Sequence, residues 1–95
     1  MKVRYSPQAR ADLDDIFAYL DERSPAGARA VKARIVAATL RLADYPLMAP
    51  ETDEPGVREL SIVRYPYKVY YQIEKDEVWI VHIRHTARQP WEDEA

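Results

Sequence analysis

The fold of this chain is decided by residues 64–91, RYPYKVYYQIEKDEVWIVHIRHTARQPW. Apolar and polar side chains alternate on both sides of Lys75 and Asp76, and alternation with a period of two is typical of β-strands. The pattern predicts strands over residues 67–74 and 77–84. Because only two residues connect them, we expect a tight antiparallel hairpin. It would deliver a basic and aromatic cluster to one end of the domain.

The hairpin alternation also predicts which side chains share a face of the sheet. The pairs expected across the hairpin are Ile73 with Val78, Tyr71 with Ile80, and Val69 with His82. The opposite face would carry Lys68, Tyr70, Gln72, Trp79, Val81 and Ile83. Both faces are therefore partly apolar. We expect one to pack on helices and the other to be covered by a partner or by the C-terminal tail.

Upstream of the hairpin, the dipeptide Ser-Pro occurs at residues 6–7 and again at residues 24–25. Serine followed by proline is a helix cap with a preorganised first turn. Apolar residues at helical spacing follow each dipeptide, which predicts one helix ending near Arg23 and a longer one stopped by Pro46. The short connection folds them into an antiparallel hairpin.

Strands are also expected on either side of the helix hairpin. Lys2–Tyr5 forms a short N-terminal strand, and residues 57–63 alternate after an acidic loop bounded by prolines. The whole prediction is an α+β fold: an N-terminal strand and an antiparallel helix hairpin, packed on an antiparallel β-sheet of about four strands. The length of 95 residues corresponds to one domain over residues 1–95.

The composition narrows the classes of function. The formal net charge is −2 at pH 7, with acids concentrated in residues 51–54 and 92–94, and this is a weak footprint for direct nucleic-acid binding. There is no cysteine, which fits a reducing compartment. The sequence lacks a signal-peptide pattern and any run of about 18 apolar residues. We therefore expect a cytoplasmic protein that recognises other proteins and does not enter a membrane.

Five segments in order carry a resemblance to a known family. They are YSPQARADLDDI at residues 5–16, PGVREL at 55–60, YPYKVYYQI at 65–73, VWIVHI at 78–83, and a closing His-x-x-Arg at 85–88. Their order resembles the ParE/RelE superfamily of toxins from bacterial type II toxin-antitoxin modules. The spacing of HTAR after the last strand looks more like the ParE branch than the RelE branch.

The resemblance implies a toxin that binds DNA gyrase and blocks replication, acts without catalysis or a cofactor, and is neutralised by a ParD-like antitoxin. The cluster at the end of the last strand is the expected target-binding surface, made of Arg84, His85, Arg88 and Trp91. For the antitoxin, an amphipathic helix laid along the helix hairpin and sheet is expected. Its contacts would be Arg29, Lys32, Arg41 and Tyr70.

A second hypothesis is a RelE-like endonuclease that cleaves mRNA on the ribosome. Cleavage needs proton transfer and cations that offset charge on the phosphorane. The phosphate contacts would be Arg64, Lys68, Arg84 and Arg88, with His85 as the proton-transfer group, because Trp91 stands where that branch has a tyrosine. A third hypothesis is an inactive toxin that keeps the fold and antitoxin binding.

Two further features have structural interpretations. The acids Asp12, Asp14 and Asp15 are predicted to form a solvated helix face near a helix start, where they complement the helix dipole, and no metal site is expected there. His82, inside the last strand, is interpreted as a structural residue of the core. With two glycines in the chain, a phosphate-binding glycine loop is excluded.

Overall fold

The computed structural model describes residues 1–86. Its elements are β1 (Lys2–Tyr5), α1 (Pro7–Arg23), α2 (Pro25–Asp44), β2 (Arg58–Ser61), β3 (Tyr67–Glu74) and β4 (Glu77–His85). The predicted strands and helices are thus present, with β2 shorter than expected and β4 one residue longer. Arg88 and Trp91, which were predicted to contact the target, lie outside the described residues.

Both helices begin at the predicted serine caps. The Ser6 hydroxyl oxygen accepts a hydrogen bond from the backbone N–H of Ala9, and the Ser24 hydroxyl oxygen accepts one from Gly27, each at 3.1 Å. A proline follows each serine as the first helical residue. Because each cap satisfies an otherwise orphaned donor, it contributes about 1 kcal/mol to helix stability.

The four strands form one sheet in the order β1-β4-β3-β2. The hairpin and β2 pair in the antiparallel sense, whereas β1 lies parallel to β4. The predicted α+β fold is confirmed, and the sheet is mixed because of this one parallel pair. A parallel neighbour requires a long connection, which the helix hairpin and the two following strands supply between β1 and β4.

The β3–β4 turn has the predicted two-residue length. Lys75 and Asp76 adopt φ angles of 49° and 63°, the left-handed region that both central positions of a type I′ hairpin turn require. The twist of a type I′ turn matches the twist of the two strands, whereas a type I turn would splay them. The turn therefore sets the strand register next to it. Ile73 pairs with Val78 as predicted.

A β-bulge changes the register beyond Tyr71. Tyr71 faces Ile80 as predicted, but Tyr70 then pairs with His82 and Val69 with Ile83. The predicted pairing of Val69 with His82 is therefore wrong, and so is the placement of Ile83 on the face away from the core. One extra residue in β4, Val81, shifts every later side chain of that strand to the other face.

The core lies between the two helices and one face of the sheet. Its fully buried members include Ile35, Leu42, Val69, Tyr71, Val78 and Ile80. Tyr71 is the largest of them, with 0% of its surface exposed, and its hydroxyl donates a hydrogen bond to the Pro46 carbonyl at 2.7 Å. Burial raises the pKa of Tyr71, because its ionised form would lose hydration. This residue ties the sheet to the end of the helix hairpin.

Within residues 1–86, the helices are too short or too polar to cross a lipid bilayer.

Candidate protein-docking surfaces

The face of the sheet turned away from the helices is called the open face here. It carries Arg4 of β1, Glu59 of β2, Lys68, Tyr70 and Gln72 of β3, and Trp79, His82 and Arg84 of β4. Apart from the exposed Arg4, these side chains are half-buried. A surface rich in arginine, tyrosine and tryptophan is typical of the centre of a protein–protein interface.

Lys68 on the open face is paired with an acid. Its ammonium lies 2.6 Å from a carboxylate oxygen of Glu59 on the neighbouring strand. The hydrogen bond from Lys68 to Glu59, followed by their charge attraction, raises the pKa of Lys68. The lysine is therefore fully protonated at neutral pH and cannot serve as a base. Its positive charge is also offset where a phosphate would have to bind.

Aromatic contacts order the middle of the open face. The Arg84 guanidinium lies 6.0 Å from the ring centroid of Tyr70, within the range of a cation–π interaction. On the same ring, His82 stacks with a centroid distance of 6.0 Å and an interplanar angle of 27°. Arg84 is also the direct cross-strand partner of Lys68. The structure therefore brings these side chains together as one polar and aromatic patch.

His82 is held by Asp12 of α1, a contact that the alternation and helix patterns did not predict. Asp12 Oδ2 lies 2.6 Å from Nδ1 of His82 and accepts the backbone N–H of Ile83 at 2.9 Å. Since a carboxylate only accepts hydrogen bonds, Nδ1 of the histidine carries the hydrogen. The prediction that His82 faces the core is wrong, because the bulge turns it to the open face beside Tyr70.

Asp12 also departs from the predicted solvated face. Asp14 and Asp15 are exposed as expected, but only 13% of the Asp12 side chain is exposed. One signal in the sequence could have found it. Asp12 lies three residues after Ala9 and four before Ile16, the two buried residues of α1, so it continues the stripe that faces the sheet.

His85 is separated from Arg84 by the pleat of β4. It pairs with the buried Tyr67, and the two rings meet edge to face with centroids 5.0 Å apart. Successive residues of a strand point to opposite faces, so His85 lies on the helix side and Arg84 on the open side. Arg84 and His85, the two predicted target contacts within residues 1–86, are therefore adjacent in the chain but lie on opposite faces of the sheet.

The predicted endonuclease residues are likewise only partly brought together. Lys68 and Arg84 are cross-strand neighbours, whereas His85 lies on the other side of the sheet. Arg64 is exposed in the turn between β2 and β3. Of the predicted phosphate contacts within residues 1–86, only Lys68 and Arg84 are therefore joined by strand pairing, and Lys68 forms an ion pair with Glu59.

The predicted antitoxin contacts fall on separate surfaces. Arg29 and Lys32 line one depression between α1 and α2, where the Lys32 ammonium lies 5.7 Å from the ring centroid of Phe17. Arg41 lines another, at the C-terminal end of α2. Tyr70 lies on the open face of the sheet and does not adjoin the helix contacts.

An apolar groove runs between β1, α1 and α2, and we call it the helix groove. It has a volume of about 280 Å³ and is lined by Val3, Tyr5, Leu13, Phe17, Lys32, Val36, Thr39 and Leu40. Val36 is 40% and Leu40 60% exposed. Contiguous apolar side chains left in solvent beside a lysine indicate a docking site for a partner.

A helix hairpin packed on this mixed sheet is the fold of ParE/RelE toxins. A chain from the chromosomal ParDE toxin-antitoxin system of P. aeruginosa superposes with a TM-score of 0.79 and 26% identity, covering 90% of this chain and 95% of that one. The toxin-antitoxin complex RelBE2 from Mycobacterium tuberculosis contains a similar fold, with a TM-score of 0.61, 23% identity, and coverage of 88% and 95%.

Sequence comparison identifies the family within this class of toxins. The profile described as ParE toxin of type II toxin-antitoxin system, parDE, matches residues 3–90, and the chain belongs to this family. The protein Y4kP of Sinorhizobium fredii, whose name describes it as a candidate toxin, is 36% identical over 90 residues, 95% of this chain and 92% of that protein. Toxin RelE2 of Caulobacter vibrioides is 37% identical over 90 residues, with coverage of 92% and 97%.

Proposed function

We propose that this toxin arrests growth in the cytoplasm by binding DNA gyrase and blocking replication, and that a ParD-like antitoxin neutralises it. The observation that carries the choice of binding over RNA cleavage is the Glu59–Lys68 ion pair on the open face. A protein that docks on another protein gains specificity from mixed charges of this kind. RNA cleavage instead draws on cations that offset charge on the phosphorane, and the pairing with Glu59 reduces what Lys68 can contribute.

The separation of His85 from Arg84 supports the same choice. General acid–base catalysis requires the proton-transfer group within hydrogen-bond reach of the reacting oxygen, on the side of the chain where cations hold the phosphate. His85 instead packs on Tyr67 at the helix side of β4. The ring contact with Tyr67 gives His85 a structural role at the end of β4, beside the proposed target surface.

The first test compares DNA and protein synthesis by pulse-labelling in the minutes after the chain is induced alone in bacteria. We expect DNA synthesis to fall first. The purified toxin is then added to gyrase in a DNA supercoiling assay, where it should inhibit. Protein synthesis falling first, with supercoiling unaffected, would contradict the gyrase proposal.

The proposed target surface is tested with Arg88→Ala and Trp91→Ala. Arginine and tryptophan at an interface commonly contribute more than about 1.4 kcal/mol each, so each change should weaken inhibition of supercoiling at least about tenfold. Arg34→Ala, which removes an exposed arginine from α2, is the matched control and should inhibit like the parent. Unchanged inhibition in both test variants would remove this segment from the target surface.

A RelE-like endonuclease remains the second candidate, favoured by the cross-strand placement of Lys68 and Arg84 and by the relative named Toxin RelE2. Cleavage products on ribosome-bound mRNA, lost in His85→Ala, would establish it. Normal growth with folded protein accumulating would instead identify an inactive toxin.

For the antitoxin, we propose an amphipathic, acidic helix whose apolar side chains enter the helix groove. Val36 and Leu40 would be its apolar contacts, and Arg29 and Lys32 at the adjoining depression would pair with its acids. The groove offers exposed apolar surface flanked by cations, which is the pattern that helix-in-groove recognition uses. Tyr70, on the other side of the sheet, is then free to contact a different segment of the antitoxin.

Leu40→Glu tests this docking mode. The change removes the most exposed apolar side chain of the groove and repels an acidic helix, so we expect antitoxin affinity to fall at least about tenfold. Titration calorimetry with the purified antitoxin measures it. Ala30→Glu adds the same charge at an exposed position of α2 outside the groove lining and should bind like the parent. Equal losses in the two variants would argue for a general charge effect.

A further inference from the structure

The turn between β2 and β3 holds a strained arginine. Arg64 has a φ of 75°, in the left-handed region that glycine tolerates and bulky side chains disfavour. The loop before β2 meets a similar need with Gly56, at a φ of 79°. Strained backbone of this kind concentrates at ligand-contacting sites. Lys75 and Asp76 owe their positive φ to the type I′ hairpin turn, whereas Arg64 lies in the longer connection between β2 and β3, where its side chain is the next feature to consider.

The Arg64 side chain has no role inside the described fold. It is exposed, and within residues 1–86 its guanidinium makes neither an ion pair nor a hydrogen bond. Three cations of the sheet differ, since each has an acid beside it: Arg4 with Glu77, Arg58 with Glu51, and Lys68 with Glu59. Within residues 1–86, no ion pair or hydrogen bond of the Arg64 guanidinium therefore compensates for the backbone strain at this residue.

The turn is fastened to the end of β4. The backbone N–H of Thr86, just after β4, donates to the Pro66 carbonyl at 2.7 Å, and Tyr67 packs against His85. Beside Arg64, Val63 is 65% exposed. At the end of the sheet where β4 ends, the turn therefore presents an apolar side chain next to a cation that has no acidic partner among residues 1–86.

We propose that Arg64 is a target-contacting residue whose guanidinium binds an acidic patch on the protein that this toxin inhibits. The strained turn holds the cation rigidly in place, which lowers the entropy lost on binding. The inference rests on the proposed function in one respect, namely that the toxin acts by binding a protein. It extends the target surface from the end of β4 to the β2–β3 turn.

Arg64→Gly separates a binding role from a structural one. Glycine accepts the same φ, so the melting temperature should equal or exceed that of the parent, while growth arrest and inhibition of supercoiling weaken at least about tenfold. Arg64→Lys, which keeps the charge, should restore most of the inhibition. Lys75→Gly is the matched control, because it relieves positive φ at an exposed cation in the turn at the other end of the sheet.

The outcomes are distinct from those that test gyrase as the target. If Arg64→Gly arrests growth as strongly as the parent and Lys75→Gly, the inference is overturned, whatever the target is. If the parent arrests growth without affecting gyrase, a loss of arrest in Arg64→Gly without any change in RNA cleavage still supports an acidic protein patch. If arrest and RNA cleavage are lost together, Arg64 is a phosphate contact and the inference is wrong.

Discussion

Replacing Tyr71 with alanine is expected to lower the free energy of unfolding by about 3–5 kcal/mol. The side chain is the largest that is fully buried, so its loss removes a large apolar contact area and leaves a cavity among Val69, Ile80 and the helices. Small domains have a total stability of about 5–15 kcal/mol, so much of this chain would be unfolded at 37 °C. Urea denaturation followed by circular dichroism measures the change.

Two variants show how the effect at Tyr71 arises. Tyr71→Phe keeps the ring but leaves the Pro46 carbonyl without its hydroxyl donor, which should cost about 1–2 kcal/mol. Tyr70→Ala truncates the adjacent tyrosine on the half-buried open face and should cost about 1 kcal/mol. Equal destabilisation by Tyr70→Ala and Tyr71→Ala would contradict the assignment of the two faces.

Local patterns predicted the elements because each has a short-range physical cause. The serine caps and following prolines fix where α1 and α2 begin, and the Lys75-Asp76 turn fixes where β3 and β4 separate. The parallel pairing of β1 with β4 has no such cause, since it depends on how the complete chain closes around the core. The sequence therefore predicted the fold class but not the neighbour of β1.

The bulge in β4 explains most of the errors at the open face. The run Val81-His82-Ile83 offers an apolar residue to either face, so the alternation cannot show that one residue is inserted there. Uninterrupted alternation therefore predicts His82 in the core and Ile83 outside it, and both placements are wrong. Arg84 remained correctly assigned to the end of the strand, but its separation from His85 by the pleat was not predicted. These placements depend on register rather than on residue type.

Replacing Asp12 with alanine is expected to destabilise the domain by about 2–3 kcal/mol. One carboxylate oxygen of Asp12 accepts a hydrogen bond from Nδ1 of His82 and another from the backbone N–H of Ile83. Hydrogen bonds to a charged group contribute about 1.5–3 kcal/mol. Without it, the Ile83 N–H loses its acceptor at a strand segment where β1 has already ended. Thermal unfolding should show a melting temperature lower by about 8–24 °C.

Controls separate this contact from the charge of the helix. Asp15→Ala removes an exposed acid of the same helix and should change stability by no more than about 0.5 kcal/mol. Asp12→Asn keeps an amide oxygen that can accept the Ile83 N–H but loses the charge, so it should fall between the parent and Asp12→Ala. Equal stability of Asp12→Ala and Asp15→Ala would show that the contact contributes nothing.

The contact should also protect the edge of β4 in a measurable way. β1 pairs with β4 only as far as Ile80. Beyond that point, Ser6 donates hydrogen bonds to the carbonyls of Ile80 and Val81, and Asp12 accepts one from the backbone N–H of Ile83. The start of α1 thus replaces a strand along this edge. In Asp12→Ala, hydrogen exchange at Ile83 should accelerate more than exchange at Val78, which lies where β1 still pairs. Because Arg84 follows directly, this edge is what holds it in position beside Tyr70 on the open face.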